Sequence, residues 1–440
     1  MQKRNLLSTL VMMLLLVALV VPVAAQDDAM ELTGDSIECP EGPADIRVAG
    51  GSVGAELEFA QEAADIFMEK CDGINIEIVE MPDSATERLN IYLQEWEAQS
   101  DNLDVFQVDV IWPAIIEPHV VDMTEYLGED YLDMIFEDMR NGQTVGEKLV
   151  AIPWFADAAG LYYRTDLIEK YGVEVPSTWE ELEAAAMTIQ EGEREEGNSE
   201  FFGFVWQGND YEGLTCDAHE WLVSSTGETF ISADGEVNVT DEAFAALVER
   251  AAGWVGTISP EGVTTYQEEE SRNVFQNGNA AFMRNWPYAY NLGNAEDSPI
   301  AGEFSWVPLP TGGERSAACL GGWQLAVSQY SDNVEAAVEV AEYLASPEQQ
   351  LVRAVEQGQL PSMPAVYEEE AAQEDELLRL AGPILETAYA RPSVATGESY
   401  NDASAIFSGA VHSVLTGDAD VDDALQTLQF DLEDFLAEME

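Results

Sequence analysis

The spacing of apolar residues along this chain changes period every ten to fifteen positions. INIEIVEM (74–81) alternates strictly between apolar and polar residues and predicts a strand, and ADIRVA (44–49) predicts another. AELEFAQEAADIFMEK (55–70) is patterned as an amphipathic helix, and TERLNIYLQEWEAQS (86–100) as a second helix. LDVFQVDVIW (103–112) is apolar enough for a parallel strand buried on both faces. Strand, helix, strand, helix, strand is the order of a three-layer α/β lobe.

The pattern continues less regularly. In KLVAIPWFADAAGLYYRTDLIEKYG (148–172), Pro153 interrupts an extended stretch that resumes at Leu161-Tyr162-Tyr163, as in a strand passing from one lobe to another. Ser177 and Glu180 are spaced as a capping box at a helix start. FFGFVWQG (201–208) predicts a strand and DEAFAALVERAAGWVG (241–256) a helix. FSWVPLPTGG (304–313) carries two prolines and predicts another strand leaving its lobe. Asp332 and Glu335 are again spaced as a capping box, and Ser346-Pro347 opens the next helix with Ser as cap and Pro as its first residue. The stretch 403–440 is helical and acidic, and no internal repeat is present. These alternations predict two lobes interleaved in sequence: residues 44–153 with 308–350 in lobe I, and 154–307 with 351–440 in lobe II.

The chain's start does not belong to this pattern. Lys3 and Arg4 precede an almost wholly apolar run from Leu10 to Val21, and Val23-Ala24-Ala25 supplies small residues before Gln26. That is the layout of a cleaved secretory signal over residues 1–25, with a retained anchor disfavoured by the shortness of the run. No cysteine follows the cleavage point, so a lipid anchor is not expected, and the product should be exported, to periplasm or exterior. Residues 26–43 read as a mobile acidic leader. The remainder, about 415 residues, is long enough for two cores.

Charge narrows the partners. There are 85 Asp and Glu against 17 Lys and Arg, a formal net of −68, which becomes −70 once Lys3 and Arg4 are removed. Such a surface repels nucleic acid and anionic lipid and carries a self-repulsion that salt screens. It suits a salty habitat or simply a well-solvated exterior. With 46% hydrophobic residues and 10 tryptophans, the chain is a packed globular protein, not a disordered acidic one.

Four cysteines remain in what reads as an exported chain, which favours disulfides. Cys39 precedes the first strand and Cys71 ends the first helix, so these two are plausible partners. Cys216 and Cys319 are either a second pair or two buried thiols. Their spacing does not resemble a zinc site, and His119, His219 and His412 are scattered, so neither metal nor cofactor is expected.

Motifs for covalent chemistry are missing. AGGSVGAE (49–56) lacks the Lys-Ser/Thr ending of a phosphate-gripping loop, and neither G-x-S-x-G nor H-E-x-x-H occurs. Carboxylates are so abundant that pairs suited to glycoside hydrolysis could be drawn anywhere. More informative are polar residues among aromatics at the ends of extended segments. Asp109 lies inside VFQVDVIW, Asp157 follows PWFA, Arg284-Asn285 precede Trp286, Gly321-Gly322 precede Trp323, and Arg391 precedes Pro392. An acid inside an apolar strand is costly unless it is paired or faces a cleft. In MRNWPYAY (283–290), Trp286 and Tyr288 are two apart and share a face if extended, after a buried start at Ala280–Met283. Tyr290 is left open.

PWFADAAGLYYRTDLIEKYG, GFVWQGNDYEGLTCDAHEW, GNAAFMRNWPYAY and CLGGWQLAVSQYSDN resemble the extracellular solute-binding proteins of carbohydrate ABC importers, and within them the trehalose/maltose-binding proteins. The likeness runs in order from 44 to 435. It implies a periplasmic-binding-protein-like α/β fold of two lobes joined by a hinge, closing on a disaccharide for delivery to membrane permease subunits, as a monomer. It also implies sugar contacts from Glu56, Arg88, Asp109, Asp157, Trp286, Tyr288, Gly322, Trp323 and Arg391, the match being loosest around Glu56 and Arg88. Carboxylates and a guanidinium suit sugar hydroxyls, and indole and phenol rings suit pyranose C–H faces. The competing readings are a secreted glycoside hydrolase acting on α-glucosides through acids such as Asp109 and Asp157, and a lectin that binds without closing.

Overall fold

Residues 33–34 and 36–439 are described by the computed structural model. The signal expected over 1–25, and the leader up to residue 32, lie outside them. The remaining leader is not the free segment expected. The backbone amides of Thr33 and Gly34 donate to Glu348 Oε1 at 2.6 and 2.9 Å, and the Ser36 hydroxyl donates to Glu348 Oε2 at 3.1 Å. Further on, Cys39 is bonded to Cys71, with Cα atoms 5.4 Å apart. Two tethers thus hold this stretch to lobe I.

Lobe I is built on a sheet of seven strands. These are β1 (Ala44–Gly50), β2 (Ile74–Glu80), β3 (Val105–Asp109), β4 (Ile152–Ala158), β9 (Ala318–Val327), β10 (Leu360–Pro361) and β11 (Ala388–Tyr389). Their order is β10-β4-β9-β3-β1-β2, with β11 alongside the start of β9. β1 pairs in parallel with β2 and β3, whereas β9 runs antiparallel to β3 and β4. Helices α1 (Glu56–Lys70) and α2 (Ala85–Glu97) make the β1–β2 and β2–β3 crossovers, as the apolar spacing predicts. Val105 to Asp109 is buried at every position, the reason its sequence shows no alternation.

Lobe II carries a four-stranded sheet of β5 (Gly160–Arg164), β6 (Phe202–Val205), β7 (Ala280–Asn285) and β8 (Phe304–Val307), in the order β8-β5-β7-β6. Against it lie α3 (Trp179–Glu195), α4 (Glu212–Thr226), α5 (Glu242–Trp254), α6 (Glu268–Gln276), α9 (Tyr400–Leu415) and α10 (Val421–Met439). Lobe I adds α7 (Val334–Leu344) and α8 (Pro347–Gln357). α4 is buried from Glu212 to Ser224, polar residues included, because its acids are met by arginines: Glu220 by Arg284 at 2.5 Å and Glu212 by Arg391 at 2.7 Å.

Several local expectations shift. Pro153 does not break its strand; β4 absorbs it where the pairing with β9 slips between Trp323 and Gln324, and the chain changes sheet at Ala159. α8 and β10 sit with lobe I, beyond the expected limit at residue 350. The capping box at α3 forms one residue later, between Thr178 and Glu181, while the Ser177 amide and hydroxyl both donate to Glu181 as well. Asp332 and Glu335 make no box, because α7 starts behind Asn333 with no side-chain cap. Ser346 caps α8 ahead of Pro347 as expected.

Of the two readings open for Cys216 and Cys319, the structure shows the second. Cys216 on α4 and Cys319 on β9 are free buried thiols that meet through a hydrogen bond, and burial holds the Cys216 thiol protonated, well above its ordinary range.

Candidate functional site

Between the lobes lies a narrow cavity of about 70 Å³. β3 ends in it at Asp109, β4 at Asp157, and β7 delivers Trp286 and Tyr288 just past its end. The register of β9 brings these strands together: Trp323 faces Asp109 on one side and Phe155 on the other, and Gly321 faces Asp157. Gly322 makes this crossing possible. Its φ is +124°, and a Cβ there would lie 2.5 Å from the Phe155 carbonyl oxygen.

Arg391 spans the two lobes. Its Nη2 donates to Asp109 Oδ1 at 3.0 Å and its Nη1 to Glu212 Oε1 at 2.7 Å, while the Leu320 carbonyl takes another bond at 3.2 Å. Glu212 also accepts from the Tyr400 and Ser404 hydroxyls at 2.6 and 2.5 Å. Burial nevertheless raises the Glu212 carboxyl above its ordinary range, with Arg391 opposing. Buried Glu56 accepts weakly from Gln107 and Gln359, at 3.3 and 3.4 Å, and is raised for the same reason, with Arg88 opposing. Asp157 is raised well above its ordinary value by burial and by the neighbouring charges of Glu56 and Asp109.

The aromatic side is held by acids. Trp286 Nε1 donates to Glu268 Oε1 at 3.3 Å, the Tyr211 hydroxyl donates to Glu268 Oε2 at 2.7 Å, and the Tyr288 hydroxyl to Glu269 at 2.7 Å. Tyr290, left open from the sequence, is core: it is 6% exposed and packs edge-on against Phe304. Of the nine residues implied by resemblance, eight line the cavity. Arg88 does not. It is fully buried, gives Nε and Nη2 to the Pro82 carbonyl, and stacks behind Trp323.

Tyr211, Glu212, Glu268 and Gln359 also line the cavity and were missed. In a chain with 85 acids no spacing singles out Glu212 or Glu268, and only the aromatic next to Glu212 offered a signal. Chemically, the cleft offers acceptors and one guanidinium around two indoles and two phenols. That suits a neutral ligand with many hydroxyls and apolar faces. Among the described residues no cluster of potential metal ligands occurs, and no helix is long and apolar enough to cross a membrane.

Known proteins resemble this chain in sequence and in fold. A probable ABC transporter-binding protein of Deinococcus radiodurans is 41% identical over 387 residues, which is 87% of this chain and 92% of that protein. The maltose-bound MalE3 of T. maritima superposes with a TM-score of 0.83 at 38% identity, covering 89% of this chain and 99% of that one. The GacH receptor of Streptomyces glaucescens GLA.O, solved unliganded and with acarbose, gives a TM-score of 0.78 at 21% identity over 90% of this chain and 99% of that one, a likeness of fold. Residues 51–351 match the model for bacterial extracellular solute-binding proteins, and the chain belongs to that family.

Proposed function

We propose that this protein is the receptor of an ABC sugar importer. It captures a disaccharide of the trehalose/maltose type between its lobes and presents it to the permease, acting as an exported monomer. The observation that carries this reading is the pair of cleft indoles, Trp286 from lobe II and Trp323 from lobe I, set among Glu56, Asp109, Asp157 and Arg391. Maltose bound to MalE3, at 38% identity over most of the chain, supports an α-glucoside as ligand. Binding needs no covalent step, in keeping with a family of binding proteins.

A thermal-shift panel of about twenty sugars, followed by calorimetry on those that stabilise, tests the reading through ligand linkage. Trehalose, maltose or a related α-glucoside should raise the melting temperature. No shift with any of them would overturn the sugar assignment. The hydrolase reading finds no support in the family or its relatives, and prolonged incubation with maltose and trehalose should release no glucose.

A further inference from the structure

Both cleft indoles have a guanidinium behind them. Arg88 Cζ lies 4.2 Å from the centroid of the Trp323 ring, and Arg284 Cζ lies 4.3 Å from that of Trp286. One pair belongs to each lobe. The arginines are 0% and 1% exposed, whereas both indoles line the cleft. A ligand therefore meets the ring and never the cation.

Their donors are directed elsewhere. Arg284 gives Nε and Nη2 to Glu220 at 3.0 and 2.5 Å and Nη1 to Gln207 at 2.9 Å. Arg88 gives Nε and Nη2 to the Pro82 carbonyl at 3.1 and 2.9 Å, and its Nη1 has no hydrogen-bond partner among the described residues. Space beside Arg88 is kept by Gly51, where a Cβ would lie 2.9 Å from Arg88 Nη2 and 2.1 Å from Glu56 Oε2. A planar, weakly hydrated guanidinium held in this way can lie flat on an indole and fix its plane, which a flexible ammonium cannot.

We propose that Arg88 and Arg284 are positioning residues: each braces the back of one cleft indole so that its front face is set for a sugar ring, and Arg88 acts through Trp323 without touching the ligand. This rests on the sugar-receptor reading. It replaces the direct sugar contact that resemblance implied for Arg88.

The test is a double-mutant cycle on the full mature chain, read by calorimetry with maltose and trehalose. Arg88→Met should weaken binding about tenfold in the wild-type background, and by less than about twofold when Trp323→Ala is already present. Arg88→Lys should fail to restore affinity, since it returns the charge without the plane. Equal losses in both backgrounds, or full rescue by Arg88→Lys, would overturn the proposal. Should Arg88→Met not fold, Arg88→Gln completes the same cycle, with melting curves checking each variant. A wild-type protein that binds neither sugar fails the receptor reading itself. Wild-type binding with additive losses fails only this assignment.

Discussion

Gly54 of lobe I faces the Tyr288 ring of lobe II so closely that a Cβ on Gly54 would lie 2.8 Å from Tyr288 Cδ2 and 3.3 Å from Leu292 Cδ1. The lobes are shut on each other here, and the same mouth is fastened by Asn291 Nδ2 donating to the Val355 carbonyl at 2.6 Å. Gly54 has φ +61°, which asparagine tolerates among larger residues. Gly54→Asn should therefore fold normally and hold the lobes apart. Sugar affinity should fall about tenfold, or 1.4 kcal/mol, and the compaction seen by small-angle scattering on adding sugar should be lost. A variant that still compacts would show that this contact does not govern closure.

Trp286 offers a large apolar face to the cleft, and its only polar atom is engaged by Glu268. Truncating such an anchor in a binding site costs about 2 kcal/mol or more. Trp286→Ala should weaken maltose or trehalose binding about thirtyfold or more while leaving the melting curve of the ligand-free protein nearly unchanged. Unaltered affinity by calorimetry would remove Trp286 from the binding surface.

Asp157 gives the ligand-free protein a pH signature. Its carboxyl is held well above the usual 3.8 by burial and by Glu56 and Asp109. A raised carboxyl binds its proton more tightly folded than unfolded. The resulting stabilisation is complete below the unfolded value and is lost as pH rises through the folded one. Glu56, Glu212 and Glu268 are raised in the same direction. Ligand-free protein should melt at a lower temperature at neutral pH than at pH 5. Asp157→Asn should raise the neutral-pH melting temperature and flatten that slope, and an unchanged profile would exonerate Asp157.

The Cys39–Cys71 bond closes a separation of 32 residues. On the chain-entropy model that contributes about 3–4 kcal/mol. Reductant should lower the melting temperature, Cys39→Ser with Cys71→Ser should reproduce the loss, and Cys216→Ala should leave the response to reductant intact. A melting temperature indifferent to reductant would deny the bond any role in stability.

Much of this was legible in the chain. Strands and helices of lobe I announced themselves because β1, α1, β2 and α2 each have one face to the core and one to solvent. The aromatics around Asp109 and Asp157 marked strand ends, since polar groups survive in apolar strands only where a cleft or partner receives them, whereas Trp323 lies in the middle of β9, paired on both sides. What stayed hidden depends on tertiary neighbours. Nothing local distinguishes an arginine that lines a cleft from one stacked behind an indole, so the place of Arg88 outside the cavity lining was not legible. α4 was opaque because Asp217 and Glu220 look like solvent-facing acids until Arg284, over sixty residues away in sequence, is brought onto them. Pro153 misled because a bulge opposite Gln324 accommodates it.

β9 sits between β3 and β4, yet it is supplied by residues 318–327, long after both neighbours. A nascent or truncated chain ending before Ala318 therefore holds a three-stranded half-sheet with a raw edge at β3, and a β4 strand whose sheet neighbours are still missing. Neither lobe is complete early: lobe I waits for β11 at Ala388–Tyr389, and lobe II for α10 at Val421–Met439. Three-quarters of the polypeptide must exist before β3 and β4 can be joined into one sheet, so the long-range pairing at the heart of the cleft is among the last contacts the chain can make.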